Sequence, residues 1–293
     1  MLNSEPKSLC AVILTALPVE YQAIRTHLAH LREEVHPQGT IYERGAFISP
    51  KNQLWNVGIV EVGKGNTGAA RESERAINYF QPSVIFFVGV AGGLKDVQLG
   101  DVVAATKVYS YESGKVTATF QTRPNVVNMS HRLEQRVRAE ARKPDWLQRI
   151  GGPPPERTPR VFVAPIAAGE KILASTDSAQ WQFLKAGYDD ALAIETEGYD
   201  FFQTAHANPQ VEALVIRGIS DLIDNKSEAD AANSQEIASR YASAFAFEIL
   251  AKLGEAESFL LSSHGRPTFH RNAGRLYLGE RKENAKARGN GSH

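Results

Sequence analysis

Val84-Ile85-Phe86-Phe87-Val88-Gly89-Val90-Ala91-Gly92-Gly93 is the stretch from which the fold is read. Val84 to Val90 is a continuous apolar run of the kind a strand buried on both faces requires. It begins after the turn residues Gln81-Pro82 and ends among Gly89, Gly92 and Gly93, so a core strand runs into a glycine loop. Working toward the N-terminus, Leu9 to Leu14 is a second short apolar run, closed by Thr15 and Ala16. A helix follows it, with Pro18 in the first turn, where its missing N–H costs nothing, and with Ala23, Leu28 and Leu31 as its predicted apolar positions. Thr40 to Ile48 and Gln53 to Val62 read as a hairpin around Ser49 to Asn52, and Gly63, Gly65 and Gly68 open a helix that reaches Tyr79. Toward the C-terminus, strands are predicted at Asp101 to Val108, Val161 to Ile166, Leu192 to Ile194 and Val211 to Ile219. Helical spacing covers Arg132 to Ile150, Ser178 to Ala186 and Ser234 to Leu253, the last with Ile237, Tyr241, Phe245 and Ile249 at intervals of four. Strands alternating with helices, and no linker between them, predict an α/β chain: one three-layer αβα sandwich around a central mixed twisted sheet, residues 9–255.

Composition narrows the function classes. The chain has 293 residues, 42% of them hydrophobic, and its 33 basic and 33 acidic side chains cancel. A neutral sum gives no reason to expect a polymeric nucleic acid as partner. Cys10 is the single cysteine, so no internal disulfide or thiolate metal cluster can form, and no His pattern such as HExxH suggests a metal. Met1 to Ser8 lacks the layout of a signal peptide, and no apolar run nears the roughly 20 residues of a membrane helix, so a cytoplasmic protein without a membrane partner is expected. The segment from Gly265 holds Arg266, Arg271, Arg275, Arg281, Lys282, Lys286 and Arg288 against Glu280 and Glu283, and residues 256–293 read as a basic, flexible tail.

Two kinds of residue carry chemistry. Glycine clusters at Gly63 to Gly68, Gly89 to Gly93 and Ala168-Gly169-Glu170 each follow a predicted strand. Each by itself also fits a tight turn, and none completes a dinucleotide fingerprint or a phosphate loop. Carboxylates stand at strand ends: Glu20, Glu195, Glu197, and Asp221 directly behind Ser220. The carboxyl edge of an open α/β sheet is where such a fold places its ligand, and a carboxyl group withdrawn from water gains a proton affinity suited to acid-base work.

Taken in order, Glu20, the Gly89 to Gly93 loop, Leu99-Gly100-Asp101-Val102-Val103, Glu195-Thr196-Glu197 and Arg217-Gly218-Ile219-Ser220-Asp221 resemble the purine nucleoside phosphorylase and uridine phosphorylase superfamily, in particular the methylthioadenosine/S-adenosylhomocysteine nucleosidases. The resemblance spans Leu9 to Leu253. It implies a central sheet curling toward a barrel, assembly into homo-oligomers, a purine nucleoside or nucleotide as partner and no cofactor. It also implies roles. Asp221 is the acid that protonates the purine, with Ser220 as its neighbour. Glu20 activates the attacking water, Glu195 lies near sugar and water, and Glu197 holds the ribose hydroxyls. Arg217 supports the Ser-Asp pair, Val90 and Gly92 belong to the loop beside the nucleophile, and the backbone of Ile172 and Leu173 meets the base. Two positions depart from the pattern: Val90 and Ala168 stand where hydroxyl residues are usual. The chain is also similar to divergent members of the superfamily that serve as domains of defence proteins and act on adenine nucleotides. On that reading Lys64, Arg71, Lys171 or the segment Gly151 to Arg160 would meet a 5′-phosphate. The expected reaction is hydrolysis of an adenine N-glycosidic bond; phosphorolysis and a non-catalytic nucleotide sensor are the alternatives, and Glu20 disfavours phosphorolysis by repelling an incoming anion.

Overall fold

The computed structural model describes residues 9–117, 120–171, 173, 175–223 and 228–263, with 228–232 and 255–263 described as backbone alone. The run that opens the sequence reading is β5 (Val84–Gly93), and everything else is arranged about it. It pairs in parallel with β1 (Leu9–Thr15) on one side and β12 (Glu212–Leu222) on the other. Beyond β1 lie β4 (Leu54–Glu61), β3 (Ile41–Ile48) and β2 (Ala29–Val35). Beyond β12 lie β6 (Val102–Ser110), β10 (Val161–Ala168) and β11 (Ala193–Glu195). Because β11 also pairs antiparallel with β5, the strands β5, β12, β6, β10 and β11 close on themselves as a ring. The sheet is therefore mixed and curled, as the α/β reading requires.

Helices cover both faces. α1 (Pro18–Arg25) packs on α6 (Glu228–Ser263), which lies against β12 and β5; α2 (Asn66–Phe80) and α5 (Gly198–His206) pack together on the other side. α6 is buried on more than the one predicted stripe, since Ala242, Ala246 and Leu250 are as inaccessible as Phe245 and Ile249. It reaches β12 so closely that a β-carbon on Gly218 would overlap the backbone of Ala238.

Several predicted boundaries move. The helix after β1 ends at Arg25, and Leu28 and Leu31 belong to the turn and to β2, whose register with β3 places Arg32 opposite Arg44 and Val35 opposite Ile41. That strand alternates only weakly, Ala29, Leu31 and Val35 against His30, Arg32 and Glu34 with Glu33 breaking the pattern, and it is held by its pairing with β3. The helix predicted from Arg132 to Ile150 is α3 (His131–Ala141), then a 3-10 turn (Asp145–Arg149), broken where Pro144 removes a backbone donor. Three short strands, β7 (Gly114–Val116), β8 (Phe120–Thr122) and β9 (Asn125–Asn128), and α5 are additions to the sequence reading. α4 (Ala179–Gly187) follows its predicted span, capped by Ser178. α6 continues to Ser263, into the segment read as tail; residues 264–293 lie outside the described residues. Among the described residues no helix is long and apolar enough to cross a membrane, and no group of three His, Cys, Asp or Glu side chains could hold a metal.

Candidate active site

A cleft enclosing about 730 Å³ of atom-free space, open to solvent, lies at or just beyond the C-terminal ends of β1, β4, β5, β10, β11 and β12. Its walls include Glu20, Val90, Gly92, Glu195, Glu197, Ser220 and Asp221, so residues separated by 200 positions in the chain meet in one place.

Glu20 is held by local structure. It is the third residue of α1, and from there its carboxylate reaches back to cap the helix: Oε2 accepts from the N–H groups of Ala16 (2.7 Å) and Leu17 (2.9 Å). The other oxygen, Oε1, accepts from the Val90 N–H at 2.7 Å, tying the α1 entry to the β5 exit. Burial raises the proton affinity of Glu20 above the ordinary carboxylate range, against the opposing pull of Arg217 and the three backbone donors.

Arg217 sits on β12 with no exposed surface, beneath the cleft, and does not line it. Its guanidinium pairs with Glu195 Oε2 and, at 3.3 Å, with Glu197 Oε2, and lies 4.4 Å from the centroid of the Phe87 ring. Gly89 is what makes room for this: a β-carbon there would overlap Arg217 Nη1 and stand 2.5 Å from Glu20 Oε1. Glu195 is buried and fully engaged. Besides Arg217 it accepts from the N–H of Glu197 (3.0 Å) and of Gly198 (3.0 and 2.8 Å), the first turn of α5. Desolvation is the largest influence on Glu195 and raises its proton affinity, which Arg217 counteracts. Glu197 takes the Gly65 N–H at 3.1 Å and the Thr196 hydroxyl on Oε1, which connects it to the glycine loop ahead of α2.

Asp221 owes its position to an irregularity. The parallel pairing of β12 with β5 runs evenly to Ile219 opposite Ala91, then resumes with Asp221 opposite Gly92, leaving Ser220 as an extra residue. A bulge of this kind re-aims the side chains beyond it. Asp221 Oδ1 lies 3.1 Å from where a β-carbon of Gly92 would stand, so the carboxylate occupies the space that glycine leaves. Ser220 Oγ is 3.0 Å from Asp221 Oδ2 and 3.5 Å from the Ala91 carbonyl.

The other predicted residues divide. Lys64, Lys171 and Leu173 line the cleft, and Ile172 lies outside the described residues. Arg71 does not line it, and in the Gly151 to Arg160 segment Arg157 is bound to Asp101 at 2.6 Å, with Arg160 3.9 Å from the same carboxylate. Those arginines hold a loop to the start of β6 instead of facing a ligand. Ala16, Leu17, Ala91, Ile194, Thr196 and Gln235 complete the lining, and none of them was given a role from the sequence. Thr196 was legible as the residue between two glutamates; Gln235, one polar residue on a long helix, carried no signal.

This fold and this arrangement of carboxylates define a class. Residues 11–252 match the model of the phosphorylase superfamily, and the chain belongs to that family. Among curated relatives it is 24% identical over 213 residues to a 5′-methylthioadenosine/S-adenosylhomocysteine nucleosidase of Desulfotalea psychrophila, covering 68% of this chain and 81% of that protein. It is 26% identical over 240 residues to the ATP nucleosidase Cap17 of Escherichia coli, covering 73% of this chain and 46% of that protein's length. Solved structures with the same fold include the Colwellia psychrerythraea methylthioadenosine/S-adenosylhomocysteine nucleosidase in complex with adenine, with a TM-score of 0.68 at 19% identity over 84% of this chain and 96% of the other. Futalosine hydrolase of Helicobacter pylori gives a TM-score of 0.67 at 18% identity over 83% and 98%.

Proposed function

We propose that this chain hydrolyses the N-glycosidic bond of an adenine-containing nucleoside or nucleotide and releases the free base. Breaking that bond leaves positive charge on the ribose and negative charge on the departing purine, so carboxylates beside the sugar and a proton donor beside the base both favour the transition state. Asp221 is the donor to the base, steadied by Ser220. Glu197 receives the ribose hydroxyls, and Glu20 orients the attacking water and takes its proton, for which its burial-raised affinity suits it. Glu195 and Arg217 act as positioning residues: Glu195 is held by Arg217 and by the N–H groups of Glu197 and Gly198, and Arg217 pairs with both Glu195 and Glu197.

The observation that carries hydrolysis over phosphorolysis is the occupancy of the backbone donors. The N–H groups of Ala16, Leu17 and Val90 all point to the carboxylate of Glu20. A phosphate at the nucleophile's place would find those donors used and an anion already there; two unit charges 4 Å apart at an effective dielectric of about 20 repel by about 4 kcal/mol. The relatives that bear nucleosidase names support the same reading of the base and the reaction.

The test is release of adenine from adenosine, methylthioadenosine, S-adenosylhomocysteine, AMP and ATP, with and without inorganic phosphate. Adenine appearing without phosphate is expected, and ribose 1-phosphate formed only with phosphate would establish phosphorolysis instead. Asp221→Asn is expected to lower kcat by about 10²–10⁴, the range for loss of a general acid. Unchanged turnover of that variant across pH removes Asp221 from the mechanism.

A further inference from the structure

Resting on that reading of the cleft, we infer that its substrate is a 5′-phosphorylated adenine nucleotide, and that Lys64 and Lys171 form the rim that receives the phosphate. The charges of the cleft are segregated. Glu20, Glu195, Glu197 and Asp221 lie along it, whereas Lys64 and Lys171 are the basic side chains that line it among the described residues. The fold brings these two lysines together although 107 positions separate them. Asn66, two residues after Lys64, donates from its side-chain amide to Glu170 Oε1 at 2.8 Å, and Glu170 directly precedes Lys171. The loop leaving β4 and the loop leaving β10 are thereby joined at the mouth.

Lys64 is exposed, follows Gly63 and precedes Gly65, both at positive φ, and makes no hydrogen bond or ion pair among the described residues. Lys171 is bound at 2.9 Å to Glu112, a carboxylate that also receives the Glu170 N–H and the Gln180 amide, so Glu112 stays satisfied when Lys171 turns to another anion. Glu112, Glu170 and Asp200, whose N–H meets the Asn66 side chain at 3.4 Å, are acidic groups near this rim that do not line the cleft; Glu197, which takes the Gly65 N–H, does.

Span and direction agree with a nucleotide. β4 stands three places from β12 in the sheet, ~14 Å between strand axes, and Lys64, just after β4, and Asp221, near the end of β12, line the same cleft. Gly65 donates to Glu197, so Lys64 adjoins the carboxylate that takes the 2′ and 3′ hydroxyls, which leaves the 5′ position for the phosphate. A phosphate kept at the rim by an unpaired ammonium avoids the acidic floor, where a second anion is repelled.

The experiment compares kcat/KM for adenosine, 3′-AMP, AMP and ATP in the full chain at low and high salt. AMP or ATP is expected to exceed adenosine and 3′-AMP. The advantage should shrink with salt, fall at least about fivefold in Lys64→Ala, fall further in Lys64→Glu, and persist in Lys64→Arg. Adenosine cleaved as well as AMP and ATP, a preference for 3′-AMP, or a ratio of AMP to adenosine unmoved in Lys64→Glu overturns the proposal while leaving the nucleosidase reading intact. If no substrate yields adenine, the nucleosidase reading fails, and thermal shifts judge the rim separately. A larger stabilisation by AMP than by adenosine, lost in Lys64→Glu, supports it; equal shifts overturn it.

Discussion

Replacing Arg217 with methionine removes the guanidinium shared by Glu195 and Glu197 while roughly keeping the volume that packs on Phe87. Arg217 has no exposed surface, pairs directly with Glu195 and Glu197, and its charge lowers the proton affinity of Glu20. Removing one partner of a buried pair costs about 3–5 kcal/mol, because the other charge is left without compensation. The loss should depend on pH in a definite sense. Without Arg217, Glu195 and Glu20 are both held further above their unfolded affinities, so the folded state keeps protons that the unfolded state gives up. Stability then declines as pH rises through the unfolded carboxylate range and goes on declining, at up to about 1.4 kcal/mol per pH unit for each proton retained, until the folded groups ionise. Urea unfolding followed by the fluorescence of Trp55, Trp146 and Trp181 between pH 5 and 8 measures this. Arg217→Met should lose little at pH 5 and about 3–5 kcal/mol at pH 8, and adding Glu195→Gln should restore about 2 kcal/mol or more at pH 8. A loss of equal size at every pH, with no recovery in the double variant, would refute charge compensation and leave Arg217 as packing alone.

His27 should govern part of the acid limb of stability. Burial, aided by Arg149, lowers its pKa to about 4 from 6.5, with the ring stacked on Phe247, so the unfolded state binds the extra proton first and stability falls as pH drops from 6.5 toward 4. His27→Phe is expected to remove about 3 kcal/mol of that fall, read from melting curves at pH 7 and pH 4; an unchanged difference between the two pH values would count against it. Gly89→Ala should abolish catalysis before it unfolds the chain, since its methyl group meets Arg217 and Glu20; full activity with native circular dichroism would contradict the packing described. Gly218→Ala, pressed against Ala238, should cost about 1–3 kcal/mol in urea unfolding, and a neutral result would show that α6 can shift.

The parts of this architecture that were legible in the sequence are those that carry their own signal. β5 and β12 are apolar enough to be read as buried strands, and Asp221 on β12, Glu20 after β1 and Glu195 at the end of β11 stand at strand ends, as read from the sequence. β2 was misread as a continuation of α1 because Leu28 and Leu31 fit apolar positions of that helix, and the alternation of Ala29, Leu31 and Val35 is broken by Glu33. The bulge at Ser220 has no sequence mark; it arises from the register of β12 against β5, a tertiary fact. The engagement of Glu195 was equally hidden, because its donors come from Arg217 and from the first turn of α5, a helix that the spacing did not announce. The same holds for the basic residues: charge alone did not separate Lys64, which lines the cleft, from Arg157, which is bound to Asp101.

β12 is the last strand of the sheet in chain order, yet it lies between β5 and β6 at its centre. It carries both Arg217, which anchors the buried glutamates, and Asp221. A nascent chain therefore emerges with Glu20 and the glycine loops long before the strand that unites them exists. Contacts such as Gly65 to Glu197 and Ser220 to Ala91, 132 and 129 positions apart, cannot form before their later partner has been made. A fragment that stops before β12 therefore holds neither Asp221 nor Arg217, whatever else of the cleft it has assembled.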